Sequence, residues 1–312
     1  MNIIGLEEIV FGVEDIAGCS QYLRDYGLAP VGAGDAGGRF EAADGTAVVL
    51  RRADDPALPV PMATVPAPFP KVAPMLRETV YGVSDVATLE AIATEMSDRP
   101  VRRGADGSVH VVDDMGFAIA FKLSQRRLLT PAPLPIINEP AIGYDMTIVP
   151  QTLSHIVYFV PDAAVAEAFY ARLGFITTDR FTGVGPFMRC PAQTDHHALF
   201  FIQTPPFMKG VEHFTFHFES GTHVLHAGTQ FAARGYQSFW GPGRHIFGSN
   251  WFWYFNSPFG CTMEFDADMD QHDDNWAARE APMTADNAQL FLFEPKPKWV
   301  PGGPPGKGGS PE

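Results

Sequence analysis

"TLSHIVYFVPD" (Thr152–Asp162) decides the fold, because "GLEEIVFGVED" (Gly5–Asp15) is nearly the same phrase at the start of the chain. Aligned on the final aspartate, both read Leu, two polar residues, Ile-Val, an aromatic, one more residue, Val, one more, Asp. Three further landmarks recur in the same order. The amphipathic stretches "CSQYLRDYGLAP" (Cys19–Pro30) and "AFYARLGFITT" (Ala168–Thr178) each reach a glycine and then a new strand. "ETVYGVSDVATLEAIATEM" (Glu78–Met96) parallels "HFTFHFESGTHVLHAGTQF" (His213–Phe231), each an alternating strand followed by a helix. "DDMGFAIAFKL" (Asp113–Leu123) parallels "SPFGCTMEFDA" (Ser257–Ala267), aligned on Gly116 and Gly260. Matching landmarks in one order make the chain an internal duplication. Each half runs strand, helix, strands, twice over, which predicts the α+β class with a curved sheet covered by helices on one face.

The division that follows is an N-terminal module over 1–127, a Pro-rich linker over 128–150 and a C-terminal module over 151–270. An extension over 271–312 ends in "EPKPKWVPGGPPGKGGSPE", expected to be extended or disordered. At 312 residues the chain is long enough for two real cores. A formal net charge of −14 argues against nucleic acid, which needs clustered Lys and Arg. No run approaches the roughly 18 apolar residues of a membrane helix. "MNIIGLEEIV" has no basic region followed by an apolar stretch, and Cys19, Cys190 and Cys261 show no C-x-x-C spacing. A cytoplasmic protein without disulfides is expected.

Where two copies share a fold, the informative positions are those that change chemically. Glu8 becomes His155, Glu78 becomes His213, and Ala120 becomes Glu264, four residues beyond the aligned glycine in each copy. A lone histidine on a strand is usually an ordinary hydrogen-bonded residue, but three coordinated changes to ligand types outweigh that reading. Two imidazoles and one carboxylate suit non-haem Fe(II), and Mn(II) fits the same set. Strand alternation puts His155 with Val157 and Phe159, His213 with Thr215 and His217, and Glu264 with Thr262 and Asp266.

The motifs "LSHIVYFV", "DHHALFF", "EHFTFHF" and "GPGRHIFGSNWFWYFNSPFGCTMEF" resemble the type I extradiol ring-cleavage dioxygenases of the vicinal-oxygen-chelate superfamily. In the last block a Tyr follows the His by nine residues and a Glu follows ten later: His245, Tyr254 and Glu264. The resemblance implies tandem modules of paired βαβββ units forming curved, barrel-like mixed sheets, with the catalytic motifs in residues 152–266. It implies His155, His213 and Glu264 as iron ligands, His197 as the acid/base histidine, and His245 and Tyr254 as hydrogen-bonding partners of the diol and oxygen species. His196 is the neighbour that a one-residue slip would exchange with His197. The implied substrates are a small aromatic diol, substituted or bicyclic, and O₂, both of whose atoms enter the ring beside the diol. A homo-oligomer is also implied.

Other readings remain open at this point. A hydroquinone or aminophenol would suit the same motifs. A glyoxalase-type lyase or isomerase shares the superfamily, although it usually divides its ligands between modules. A non-enzymatic binding protein would leave His197, His245 and Tyr254 without a purpose. Alone, His245 reads as a loop residue and Tyr254 as core; His217 and His223 are expected to be structural. "DADMDQHDD" (Asp266–Asp274) lacks the Gly and terminal Glu of a calcium loop and is expected to be a solvated strand end. Of the aromatics Phe187, Phe207, Trp240, Phe247 and Trp251, those on loops are candidates for lining an apolar cavity.

Overall fold

A computed structural model describes residues 1–60, 75–130, 148–273 and 275–294. The linker and tail readings fall largely on residues outside these ranges. The rest is built from four strand–helix–three-strand units. The first holds β1 (Ile3–Val13), α1 (Ile16–Tyr26), β2 (Ala29–Gly34), β3 (Gly37–Glu41) and β4 (Ala47–Arg52). The second holds β5 (Leu76–Val83), α2 (Val86–Glu95), β6 (Arg102–Arg103), β7 (Val109–Val112) and β8 (Ala118–Leu123). The third holds β9 (Thr152–Val160), α3 (Ala163–Arg172), β10 (Ile176–Thr182), β11 (Gly185–Arg189) and β12 (Leu199–Gln203). The fourth holds β13 (Gly210–His217), α4 (Gly221–Ala233), β14 (Ser238–His245), β15 (Trp251–Asn256) and β16 (Thr262–Ala267). β17 (Arg279–Pro282), α5 (Ala285–Ala288) and β18 (Gln289–Leu292) follow.

The residue that ends each strand motif has a local reason. Asp15, Asp85, Asp162 and Ser220 are the N-caps of α1 to α4, each accepting from a backbone N–H in the first helical turn. The glycines after α1 and α3 hold positive φ, 115° at Gly27 and 89° at Gly174, so the chain reverses into the next strand without steric cost.

Units one and two form one mixed sheet in the order β2-β3-β4-β1-β5-β8-β7-β6. Units three and four repeat it, and the extension adds a strand at each end: β17-β10-β11-β12-β9-β13-β16-β15-β14-β18. Laid flat, ten strands at about 4.8 Å spacing would put the edges some 43 Å apart. Yet β17 ends at Pro282 and β18 begins at Gln289, seven residues on, a span of at most about 25 Å. The covalent chain therefore requires this sheet to curl until its edges approach.

Register confirms the duplication. Glu8 faces Val80, and Val80 faces Ala120, across β1, β5 and β8. His155 faces Thr215, and Thr215 faces Glu264, across β9, β13 and β16. One buried apolar core runs through both halves. Phe11 of β1 lies 5.4 Å from Phe214 and 4.7 Å from Phe259, while Tyr26 of α1 lies 4.1 Å from Phe265, ring to ring. The Tyr26 hydroxyl donates to the carbonyl of Glu264, and Tyr158 shares a 2.6 Å hydrogen bond with Thr79. No helix among the described residues is long and apolar enough to cross a membrane.

Asp113, before β8, is buried where the halves meet. Its Oδ1 accepts from the amides of Met115 (2.9 Å) and Phe117 (2.8 Å), and Tyr170 reaches Oδ2 from the other half. Burial raises its pKa to about 7, more than these bonds lower it. Protonated Asp113 is thus favoured by the fold, so its contribution is full below about pH 4 and is lost as pH rises through 7. Asp113→Asn keeps the acceptor and removes the ionisation. The variant should gain on wild type as pH rises, reaching about 4 kcal/mol at pH 8 in urea denaturation. A difference that does not change between pH 5 and pH 8 would refute this.

Candidate metal centre

Strand alternation turns Ile156, Phe214, Met263 and Phe265 into the core and His155 and Glu264 to the concave side. There His155 Nε2 lies 3.2 Å from His213 Nε2 and 3.0 Å from Glu264 Oε2; His213 Nε2 is 3.4 Å from the same oxygen. Among the described residues this is the one trio of His, Cys, Asp or Glu whose ligand atoms gather within 4.8 Å. All three are buried.

The other ring nitrogens explain the convergence. His213 Nδ1–H donates to the Glu212 carboxylate, so Nε2 carries the lone pair. His155 Nδ1 is 2.9 Å from Ser154 Oγ, which also meets His217 Nε2 at 3.0 Å. With both Nδ1 atoms engaged, the two Nε2 atoms and a carboxylate oxygen converge on one point, the disposition of a metal ligand set. Glu264 Oε1 is buried with no hydrogen-bond partner among the described residues. Burial alone would raise the Glu264 pKa, but His155 and its neighbours hold it well below the carboxylate range. The donor set therefore fits a divalent metal ion.

Glu212 lies next to His213, and strict alternation would send it to the opposite face. The β9–β13 register shifts between Val211 and His213, and this bulge lets both line the cavity. Thr215 donates to Glu264 Oε2 at 2.6 Å and meets His155 Nε2 at 3.1 Å. His217, expected to be structural, braces Ser154 while its Nδ1 meets Asp266 Oδ1 at 2.6 Å. Asp266 is fully buried, so the expected solvated strand end begins only beyond it.

His155 and His213 line a cavity of about 290 Å³, and Glu264 is buried against both of them. His197, His245 and Tyr254 line it beside the two histidines, so five of the six expected site residues share one cavity, and the sixth, Glu264, meets it through its contacts with His155 and His213. His245 Nδ1–H donates to the carbonyl of Ala288 at 3.0 Å, and its Nε2 is 3.2 Å from the Tyr254 hydroxyl. Burial first, then the charge of Glu264, push the Tyr254 pKa well above its usual value and keep the phenol protonated. Burial, then the neighbouring imidazoles, depress the His197 pKa and keep that ring neutral. His196 does not line the cavity: its Nε2 bonds Asp179 Oδ2 at 2.8 Å. Burial raises the Asp179 pKa, but bonds from His196 and Arg279 outweigh it and hold the carboxyl ionised.

The walls are apolar: Val157, Phe159, Phe181, Phe187, Phe200, Ile202, Phe239, Trp240 and Phe247, with Met283 and Ala288 from the extension. Phe187 and Phe200 stack at 3.9 Å. Phe207, on an exposed turn, and Trp251, packed on Phe291, are not among the lining residues. Nor, among the described residues, is any lysine or arginine.

In the N-terminal module the equivalent row is closed. Glu8 pairs with Arg39 and Lys122, Glu78 bonds His110 at 2.7 Å, and Ala120 packs with Val10 and Val80.

A curled sheet of paired βαβββ units carrying two imidazoles and a carboxylate at its centre defines a metal-binding class. Residues 152–265, within the C-terminal module, match the family model of the Glyoxalase/Bleomycin resistance protein/Dioxygenase superfamily. A curated relative, metapyrocatechase 2 of Cupriavidus necator, is 35% identical over 124 residues, covering 39% of this chain and 38% of that protein. The match thus spans well under half the length of the relative. Among solved structures, the Mn(II)-bound glyoxalase from Novosphingobium aromaticivorans is 20% identical with a TM-score of 0.72, covering 97% of both chains. BphC, a halotolerant catechol dioxygenase, is 16% identical with a TM-score of 0.73, covering 94% of this chain and 95% of its own. Both share the fold across both modules.

Glu264→Gln should lower metal affinity at least about 100-fold. Added Mn(II) should raise the Tm of the metal-stripped wild type and leave that of the variant unchanged. Equal shifts in the two proteins would rule out Glu264 as a ligand.

Proposed function

We propose that this protein is an extradiol dioxygenase that opens the ring of a catechol beside its diol and inserts both atoms of O₂. The observation that carries this is the gathering of His155, His213 and Glu264 within 4.8 Å beside an apolar cavity that both histidines line together with His197, His245 and Tyr254. The likeness of the module to a metapyrocatechase supports it. His155, His213 and Glu264 would hold Fe(II), which would supply Lewis acidity to lower the pKa of a chelating diol and redox chemistry for O₂ activation.

The chain's own groups do the rest. Neutral His197 takes a proton from the diol and returns it later. The Tyr254 hydroxyl, protonated and 3.2 Å from His245 Nε2, donates to the substrate oxygen that stays ionised. His245, whose Nδ1 is tied to the Ala288 carbonyl, presents Nε2 towards the same region. The stacked Phe187 and Phe200 and their neighbours hold the ring and exclude water. Because no lysine or arginine among the described residues lines the cavity, a ring-borne carboxylate would enter without a partner there. The substrate is therefore an uncharged catechol carrying an apolar substituent or second ring. The cysteines are free, Cys19 and Cys190 buried, which suits the cytoplasm.

Anaerobic Fe(II) reconstitution followed by O₂ uptake tests the proposal directly. Alkyl- or aryl-substituted catechols should give a yellow ring-fission product and one O₂ per turnover. Carboxylated catechols should be poorer by about 100-fold in kcat/KM, about 2.7 kcal/mol. Iron binding without O₂ uptake on any diol in the panel would sink the proposal. His197→Phe should keep its iron and lose about 10²- to 10⁴-fold in kcat; undiminished turnover would remove the assigned role.

A further inference from the structure

His196 has no part in holding the metal or lining the cavity, yet it is fully buried and bonded at both ring nitrogens. Its Nδ1 lies 3.0 Å from Nδ1 of His197, and its Nε2 lies 2.8 Å from Asp179 Oδ2. Asp179 is fully buried and is gripped by Arg279 of β17. The backbone N–H of Arg279 donates to Oδ1 at 2.7 Å, and its Nη2–H to Oδ2 at 2.5 Å. The guanidinium spans Phe247 and Trp276, 5.0 and 5.1 Å from their ring centres, with its outer part reaching solvent.

We infer that Arg279, Asp179 and His196 form a relay that fixes the tautomer of His197, placing its proton on Nδ1 and leaving Nε2 as the lone-pair nitrogen that serves the diol. The inference rests on the proposed role of His197 as the proton acceptor. Its steps follow from donor and acceptor capacity. Asp179, already accepting from Arg279, can only accept, so His196 donates from Nε2. Arg279 compensates the buried charge of Asp179, and the one other carboxylate paired with it among the described residues, Asp270 at 3.9 Å from Nη2, is partly exposed to solvent. Because Arg279 already balances Asp179, a proton added to His196, sealed between Phe187 and Trp276, would leave the buried cluster with a net positive charge. Neutral His196 therefore presents a lone pair at Nδ1, and His197 must donate to it from Nδ1. The pair cannot drift apart easily: Gly248, at φ 82°, lies against both rings, and a Cβ there would come within 3.3 Å of His196 Nδ1.

His196, Asp179 and Arg279 are thus positioning residues, acting through His197 without touching substrate. The test reads tautomers by long-range ¹H–¹⁵N correlation in the full-length chain, labelled with ¹⁵N-histidine and loaded with diamagnetic zinc. His197→Phe supplies the assignment. Wild type should show His197 protonated at Nδ1. In Asp179→Asn the amide oxygen stays on the immovable backbone N–H of Arg279, so the NH₂ faces His196 Nε2. Both histidine tautomers should then invert. In the iron enzyme the same variant should lower kcat about 10- to 100-fold, with KM for the catechol within about threefold. Wild-type His197 protonated at Nε2, or a tautomer unchanged in Asp179→Asn, would overturn the relay. Because the tautomer is read without turnover, failure of the relay and failure of ring cleavage are separate results.

Discussion

The register of β9, β13 and β16 is the constraint on which the site depends. Thr215 sits between His155 and Glu264 in one row, and a slip of one residue in any of the three strands would turn its side chains to the other face. What holds that register is on the convex side. Ile156, Phe214 and Phe265 are fully buried there, interlocked with Phe11 and Tyr26 of the N-terminal half. Moving a ligand strand would pull a ring out of this core, at about 3–5 kcal/mol for each large side chain lost. Ligand geometry is therefore enforced by apolar packing about one strand thickness away.

Seen this way, the N-terminal module is the support for the other. Its own row has been neutralised, with carboxylates matched to Arg39, Lys122 and His110, where the C-terminal module leaves Glu264 Oε1 without a partner among the described residues. The contrast is between one satisfied polar row and one left unsatisfied. Unmatched buried polar atoms are costly, and natural folds keep them where function requires it.

How much of this was legible in the sequence follows from which physical signals are local. The duplication, the βαβββ order and the trio His155, His213 and Glu264 could be read because strand alternation and repeat alignment are properties of neighbouring residues. Glu212 was not legible, because a bulge broke the alternation that hid it. Ser154 and Thr215 were visible only as polar residues on ligand strands; their bonds depend on cross-strand register. Asp179 and Arg279 were out of reach: they lie 100 residues apart and meet through β10–β17 pairing. The N-cap role of Asp15 and Asp162 was available locally, as a capping residue ahead of each amphipathic helix.

The short segment that joins the two edges of the larger sheet does three things at once. Met283 and Ala288 line the cavity, the Ala288 carbonyl orients His245, and Arg279 anchors the chain of bonds reaching His197. Cavity lining and chemistry are thereby written into the same fourteen residues, Arg279 to Leu292. Lineages of this architecture that diversify by exchanging this segment would change which rings enter and how protons move in a single step. Adaptation to a bulkier diol is then easier through the cavity walls, Phe181 or Phe239, which carry no polar duty.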